Sequence, residues 1–209
     1  CKEANMDYLE QARILAPEWE AIREAIHRHP EPGNQEFHTT ALVEQRLHAL
    51  GICTERPLPT AVVGPLTGRF PGKCAALRAD MDARPIREDS GAAFASECPG
   101  LAHACGHDIH TAAALGAAEL LARNRDSLHG TVRFFFQPDE EGSGGAQRMI
   151  AAGCMEGVDA VFGAHVCPDL PRGTVGVRYG KFYAASDTFT VRIAGRSCHG
   201  AQPERGIDA

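Results

Sequence analysis

The chain has 209 residues, of which 44% are hydrophobic and 23% charged, and a formal net charge of -6. That length holds one large domain, or one domain and the start of another. The acidic balance leaves no footprint for nucleic acid or an anionic membrane, and no apolar run approaches the ~20 residues that span a bilayer. The predicted partner is a small molecule or a second copy of the chain.

Residues 6–29 carry apolar positions at helical spacing (Met6, Leu9, Ile14, Leu15, Trp19, Ile22, Ile26) and predict an amphipathic helix, broken by His29-Pro30-Glu31-Pro32-Gly33. Residues 39–50 predict a second helix, stopped by Gly51. From there strand-like and helix-like segments alternate. Residues 73–79 form a short apolar strand candidate, and the Ala- and Leu-rich stretch 108–123 a buried helix. Residues 131–136 are β-rich, 145–152 read as a short helix, and 158–166 as a further strand. This alternation predicts an α/β domain with a mixed, largely parallel sheet flanked by helices. After Pro171 two strand candidates, 173–178 and 186–193, follow without a helix between them. The predicted division is a catalytic metal-binding domain over residues 1–183 and the beginning of a small α+β domain over 184–209. So short a second piece cannot bury a core of its own.

The eight cysteines are scattered, with no C-x-x-C pair, and a chain this long does not need disulfides. The N-terminal residues lack a charged-then-apolar signal pattern. Both features predict a reducing, cytoplasmic setting.

Four places collect metal-binding or acid/base residue types. Arg78-Ala79-Asp80-Met81-Asp82 follows the strand from residue 73, and its two carboxylates point the same way if the chain stays extended. Alone it also reads as a polar loop with capping acids. His103-Ala104-Cys105-Gly106-His107-Asp108-Ile109-His110 opens the Ala-rich helix. Three histidines, a cysteine and an aspartate in eight residues suit zinc or a similar first-row ion. Gly106 lets the backbone bend so that Cys105 and His107 face one point, and the helix N-terminus is expected to favour a thiolate at Cys105. The competing reading is a surface loop with Asp108 as a helix cap. Phe136-Gln137-Pro138-Asp139-Glu140-Glu141-Gly142 runs a hydrophobic strand into three acids. Neighbouring carboxylates repel unless a cation or proton sits between them, so one can ligate a metal while the next serves as a base. Gly163-Ala164-His165-Val166 closes an apolar strand, and its histidine by itself reads as an ordinary strand-end polar residue. Three of the four places lie at the carboxyl ends of predicted strands, the edge where open α/β sheets bind ligands.

These segments, with His27-Arg28-His29-Pro30-Glu31, occur in an order that resembles the M20 metallopeptidase family. The likeness is to its aminoacylase, hippurate hydrolase and auxin-conjugate amidohydrolase branch, and it spreads over nearly the whole chain. The resemblance implies a zinc-peptidase-like catalytic domain followed by a lid and dimerisation domain. It implies two divalent ions (zinc, manganese, cobalt or nickel) held by Cys105, His107, Glu141 and His165. Glu140 would be the general base, with Asp82 supporting it or orienting a ligand histidine. His199, in Gly195-Arg196-Ser197-Cys198-His199-Gly200, resembles the lid histidine that reaches the site across a dimer to stabilise the oxyanion. The implied substrate is an N-acyl amino acid or related small conjugate, and the implied assembly a homodimer.

Arg84 stands where the family usually has leucine, and Asp139 where it usually has alanine. Family members also continue through the lid and return with one more histidine ligand, so the chain is expected to be a fragment. Two other readings stay open: a hydrolase with Cys105 as nucleophile and a neighbouring histidine as base, and a non-catalytic metal-binding relative.

Overall fold

The computed structural model describes residues 7–183 and 189–208. Helix α1 spans Tyr8–Arg28, with Asp7 capping it through bonds from the Leu9 and Glu10 N–H groups. Of the predicted apolar stripe, Ile22 and Ile26 are buried, whereas Leu9 and Ile14 remain exposed; Met6 lies outside the described residues. Helix α2 spans Phe37–Ala49. Helix α3 spans His107–Arg123 and helix α4 Gly145–Ala151.

Strands β1 (Val62–Thr67), β2 (Phe70–Asp80), β3 (His129–Gln137) and β4 (Ala160–Gly163) form one sheet in the order β1-β3-β2-β4. The β2–β3 and β2–β4 pairs are parallel and β1–β3 is antiparallel, so the sheet is mixed as predicted. β1 is absent from the sequence reading because Pro65 interrupts its apolar run. Proline is tolerated there because β1 is an edge strand.

The period-2 alternation of β3 divides the core. Phe134 and Phe136 face α1, α2 and α3 with Ile22, Ile26, Val43, Leu47 and Leu115. Phe135 points to the opposite side, with Val63, Ala76, Met149 of α4 and Cys154. Each buried phenylalanine or leucine contributes roughly 1.5–3 kcal/mol relative to leaving it exposed. α1 and α3 approach closely at Gly116, where a Cβ would fall 2.8 Å from the Trp19 ring. Trp19 Nε1 then donates to Glu119 at 2.9 Å.

Parallel pairing brings the carboxyl ends of β2, β3 and β4 to one edge: Asp80 is level with Gln137, and Arg78 with Gly163. The four chemistry-bearing segments follow from that edge or from the start of α3.

The chain separates into two compact units, Cys1–Cys167 and Pro168–Ala209. In the second, the strands expected at 173–178 and 189–193 are not formed, and residues 184–188, where the sequence sets its domain boundary, lie outside the described residues. A single Arg196–Ile207 bridge and a 3₁₀ turn at Pro203–Arg205 are its regular features. None of its described residues is buried. Phe189, Val191 and Ile193 offer an apolar face, but they remain exposed, and strand pairing without a face to bury is marginal. Among the described residues no helix is long and apolar enough to cross a membrane.

Candidate metal centre

Gly106 adopts φ 83° and is the N-cap of α3. That left-handed turn, open to glycine at little cost, swings Cys105 and His107 toward one point. Asp108 is not the cap: its Oδ2 instead takes Arg23 Nε at 2.6 Å and His27 Nδ1 at 2.8 Å. His27 Nε2 lies 3.1 Å from Glu88, which ties the segment after Arg84 to α1. The Ser90 hydroxyl, the Ser96 N–H and His27 hold Glu88 down at about 2.

Cys105, His107 and His165 bring one ligand atom each within 4.8 Å of one another, and so do His107, Glu140 and Glu141. His107 is shared, so the two sets meet at its ring. The Nδ1 of His107 lies 2.8 Å from the carbonyl of Asp82. A carbonyl only accepts, so Nδ1 carries the proton and Nε2 presents a lone pair. That Nε2 is buried and has no hydrogen-bond partner, as is also true of Glu141 Oε1. His165 repeats the pattern: Nδ1 donates to the Val166 carbonyl at 2.8 Å, and Nε2 faces Cys105 Sγ at 3.5 Å. Buried polar atoms are ordinarily paired, and thiol, imidazole and carboxylate donors converging with unpaired atoms fit a divalent transition-metal ion.

Asp82 organises the acidic turn. Its Oδ1 accepts the Glu140 N–H at 2.9 Å and its Oδ2 the Glu141 N–H at 3.0 Å. Burial alone would raise its pKa, but His107 and these two N–H bonds outweigh burial and lower it. Asp80 behaves likewise: burial opposes ionisation, yet the His110 bond, Arg78 and His107 bring it down to about 2. His107 is pushed down by burial and, more strongly, up by Asp82 and Asp80, with a net upward shift.

The thiolate expected at Cys105 is not favoured. Burial, together with Glu141, Glu140 and Asp80, pushes the thiol up to about 12. Burial and these three carboxylates outweigh the α3 N-terminus. Burial also brings His103 down to about 4.

Both departures from the family pattern bear on the site. Arg84 forms an ion pair with Glu141. Asp139 sits at φ 53°, unusual for a residue with a side chain. Its Oδ2 takes Asn34 Nδ2 at 2.8 Å, the Ser143 N–H at 3.0 Å and Arg148 at 3.1 Å, while its own N–H donates to Glu36 at 2.8 Å. Asn34 and Glu36 are remote in sequence and carry no motif that announces them. Glu140 stands more open, 39% exposed, with Oε2 3.9 Å from His107 Nε2. His199 lies in the second unit, exposed, its Nδ1 accepting the Ala201 N–H at 3.2 Å.

A mixed sheet flanked by helices, with metal-type donors clustered at its carboxyl edge, defines an α/β scaffold of the zinc-peptidase-like class. The chain belongs to peptidase family M20/M25/M40, which it matches over residues 76–204. It is 47% identical to an N-acyl-L-amino acid amidohydrolase of Geobacillus stearothermophilus, over 90% of this chain and 52% of that one. It is 48% identical to N-acetyl-L-cysteine deacetylase of Bacillus subtilis, over 90% of this chain and 45% of the relative. Among solved structures, the Bacillus subtilis YXEP protein, a dinuclear metal-binding peptidase of the M20 family, superposes with a TM-score of 0.78 at 44% identity, covering 80% of this chain and 48% of that chain. The chain spans about half the length of the curated relatives it matches.

Proposed function

We propose that this chain forms the metal-binding part of an amidohydrolase that cleaves the amide bond of N-acyl amino acids or related small conjugates. The observation that carries the reading is the pair of three-donor sets that share His107, whose Nε2 is buried and unpartnered. Cys105, His107, Glu141 and His165 would hold two divalent ions, from among zinc, manganese, cobalt and nickel. Bound there, such ions supply Lewis acidity and lower the pKa of water.

The chain's own groups do the rest. Glu140, exposed and with its backbone held by Asp82, takes a proton from the attacking water and delivers it to the leaving amine. Asp82 fixes the His107 tautomer and the direction of the acidic turn. His199 is assigned to the oxyanion, reaching from a partner subunit of a homodimer, on the resemblance of residues 195–200 alone. Relatives named for N-acyl amino acids support the substrate class. A nucleophilic Cys105 loses support, because a thiol pushed up to about 12 supplies little thiolate at neutral pH.

The test combines metal content per chain with hydrolysis of acetyl-, benzoyl- and indole-acetyl-amino acids, with and without chelator. Stoichiometric metal and chelator-sensitive hydrolysis are expected, and Glu140→Gln should keep metal while losing roughly 10²–10⁴-fold in turnover. Hydrolysis that survives the chelator would return the Cys105 reading. Metal without turnover would return the non-catalytic one.

A further inference from the structure

Asp80, His107 and His110 also bring ligand-type atoms within 4.8 Å of one another, all three buried. Residue type would make His110 one more ligand, but its bonding excludes that. The Val166 N–H donates to His110 Nε2 at 3.0 Å, and Nδ1 lies 2.6 Å from Asp80 Oδ1. An amide N–H can only donate, so Nε2 is the acceptor and the neutral ring carries its proton on Nδ1, directed at Asp80. No lone pair is left for a cation.

We propose that His110 is a positioning residue. With Asp80 it bridges the end of β2 to the Val166 peptide, and so aims the His165 ring at Cys105. The inference rests on the reading of Cys105 and His165 as metal ligands.

His165 needs such a device. β4 ends at Gly163, so the histidine lies two residues beyond the last strand position. A ligating histidine is usually oriented by a fixed group bonded to its other nitrogen. Here that group is the carbonyl of the next residue. A neighbour's carbonyl travels with the segment, so the direction of His165 is inherited from wherever the Val166 peptide is held. α3 holds it at two points one turn apart. At Gly106 the Val166 side chain packs so closely that a Cβ would fall 2.4 Å from Cγ2. At His110 the peptide N–H is bound, and the His110 and His165 rings stand 4.6 Å apart at 68°. The anchor is itself fixed: Arg78 reaches Asp80 Oδ2 at 2.7 Å.

Co²⁺ is the probe, titrated into metal-stripped protein and followed by the thiolate charge-transfer and d–d bands. His110→Leu removes both bonds. His110→Gln offers an acceptor and an N–H donor at one end and can restore them. Thr111→Val breaks a different buried bond, from its hydroxyl to the Asp80 backbone carbonyl at 2.9 Å, leaves the His110–carboxylate bond in place, and controls for loss of stability. The expected result is roughly 10–100-fold weaker Co²⁺ binding with an altered d–d envelope in His110→Leu, recovery in His110→Gln, and wild-type affinity in Thr111→Val. Wild-type affinity and spectrum in a folded His110→Leu would overturn the inference alone. Equal losses in His110→Leu and Thr111→Val would overturn it too, as general weakening. A wild-type protein that does not bind Co²⁺ would overturn the metal-site reading beneath it.

Discussion

The carboxylate of Asp82 holds the backbone N–H of Glu141 at 3.0 Å, and its other oxygen holds that of Glu140 at 2.9 Å. One side chain thus directs two adjacent acids whose charges would otherwise push them apart. Asp82→Asn turns one acceptor into a donor that faces an N–H. We expect a loss of about 1–3 kcal/mol in stability and about 10–100-fold in metal affinity. Urea unfolding and metal competition titration on the same preparation measure the two effects. Unchanged metal affinity would remove Asp82 from its supporting role.

Arg84 competes with any cation for Glu141, because a carboxylate oxygen engaged by a guanidinium is less available to a metal. Arg84→Leu is therefore expected to tighten metal binding several-fold at low ionic strength. The advantage should shrink as salt is added, since the pair is exposed and screened. Calorimetric titration at two salt concentrations checks both parts.

Asp139 combines a left-handed backbone with a buried carboxylate that gathers Asn34, Ser143 and Arg148. Asp139→Ala keeps the backbone demand and removes the bonds, while Asp139→Gly removes both. Both variants should be destabilised, by about 2–4 kcal/mol for alanine. Glycine should be the milder by about 1 kcal/mol. Denaturant midpoints of the three proteins give the comparison, and an alanine variant as stable as glycine would show that the φ carries no strain.

Glu36 is fully buried, one oxygen accepting the Asp139 N–H and the other without a partner. Burial raises its pKa above the ordinary carboxylate value. The folded state therefore binds the proton more tightly than the unfolded chain does. Its contribution is fully present below the unfolded pKa and is lost as pH rises through the folded one. Glu36→Gln cannot ionise, so its stability relative to wild type should improve between pH 4 and pH 7. Urea unfolding at the two pH values reads the change, and a constant difference would show that Glu36 does not titrate with folding.

The sequence by itself determined which residue types could do the chemistry and roughly where they stand on the elements. Strand and helix periods are local properties, so β2, β3, α3 and α4 were legible within a few residues, as was the Gly106 bend. β1 was not, because Pro65 interrupts the signal that an edge strand can do without. Only the tertiary structure decided which atoms face the site. His107 and His110 lie one turn apart on the same helix and look alike in the sequence. One offers a free Nε2 and the other spends both nitrogens on Asp80 and Val166. The expected Cys105 thiolate failed for the same reason: a helix N-terminus can be read from the chain, whereas the carboxylates of Glu141, Glu140 and Asp80 reach the thiol only after folding. Ligand type follows from covalent chemistry, but tautomer, charge and direction depend on neighbours tens of residues away, and packing alone sets those distances.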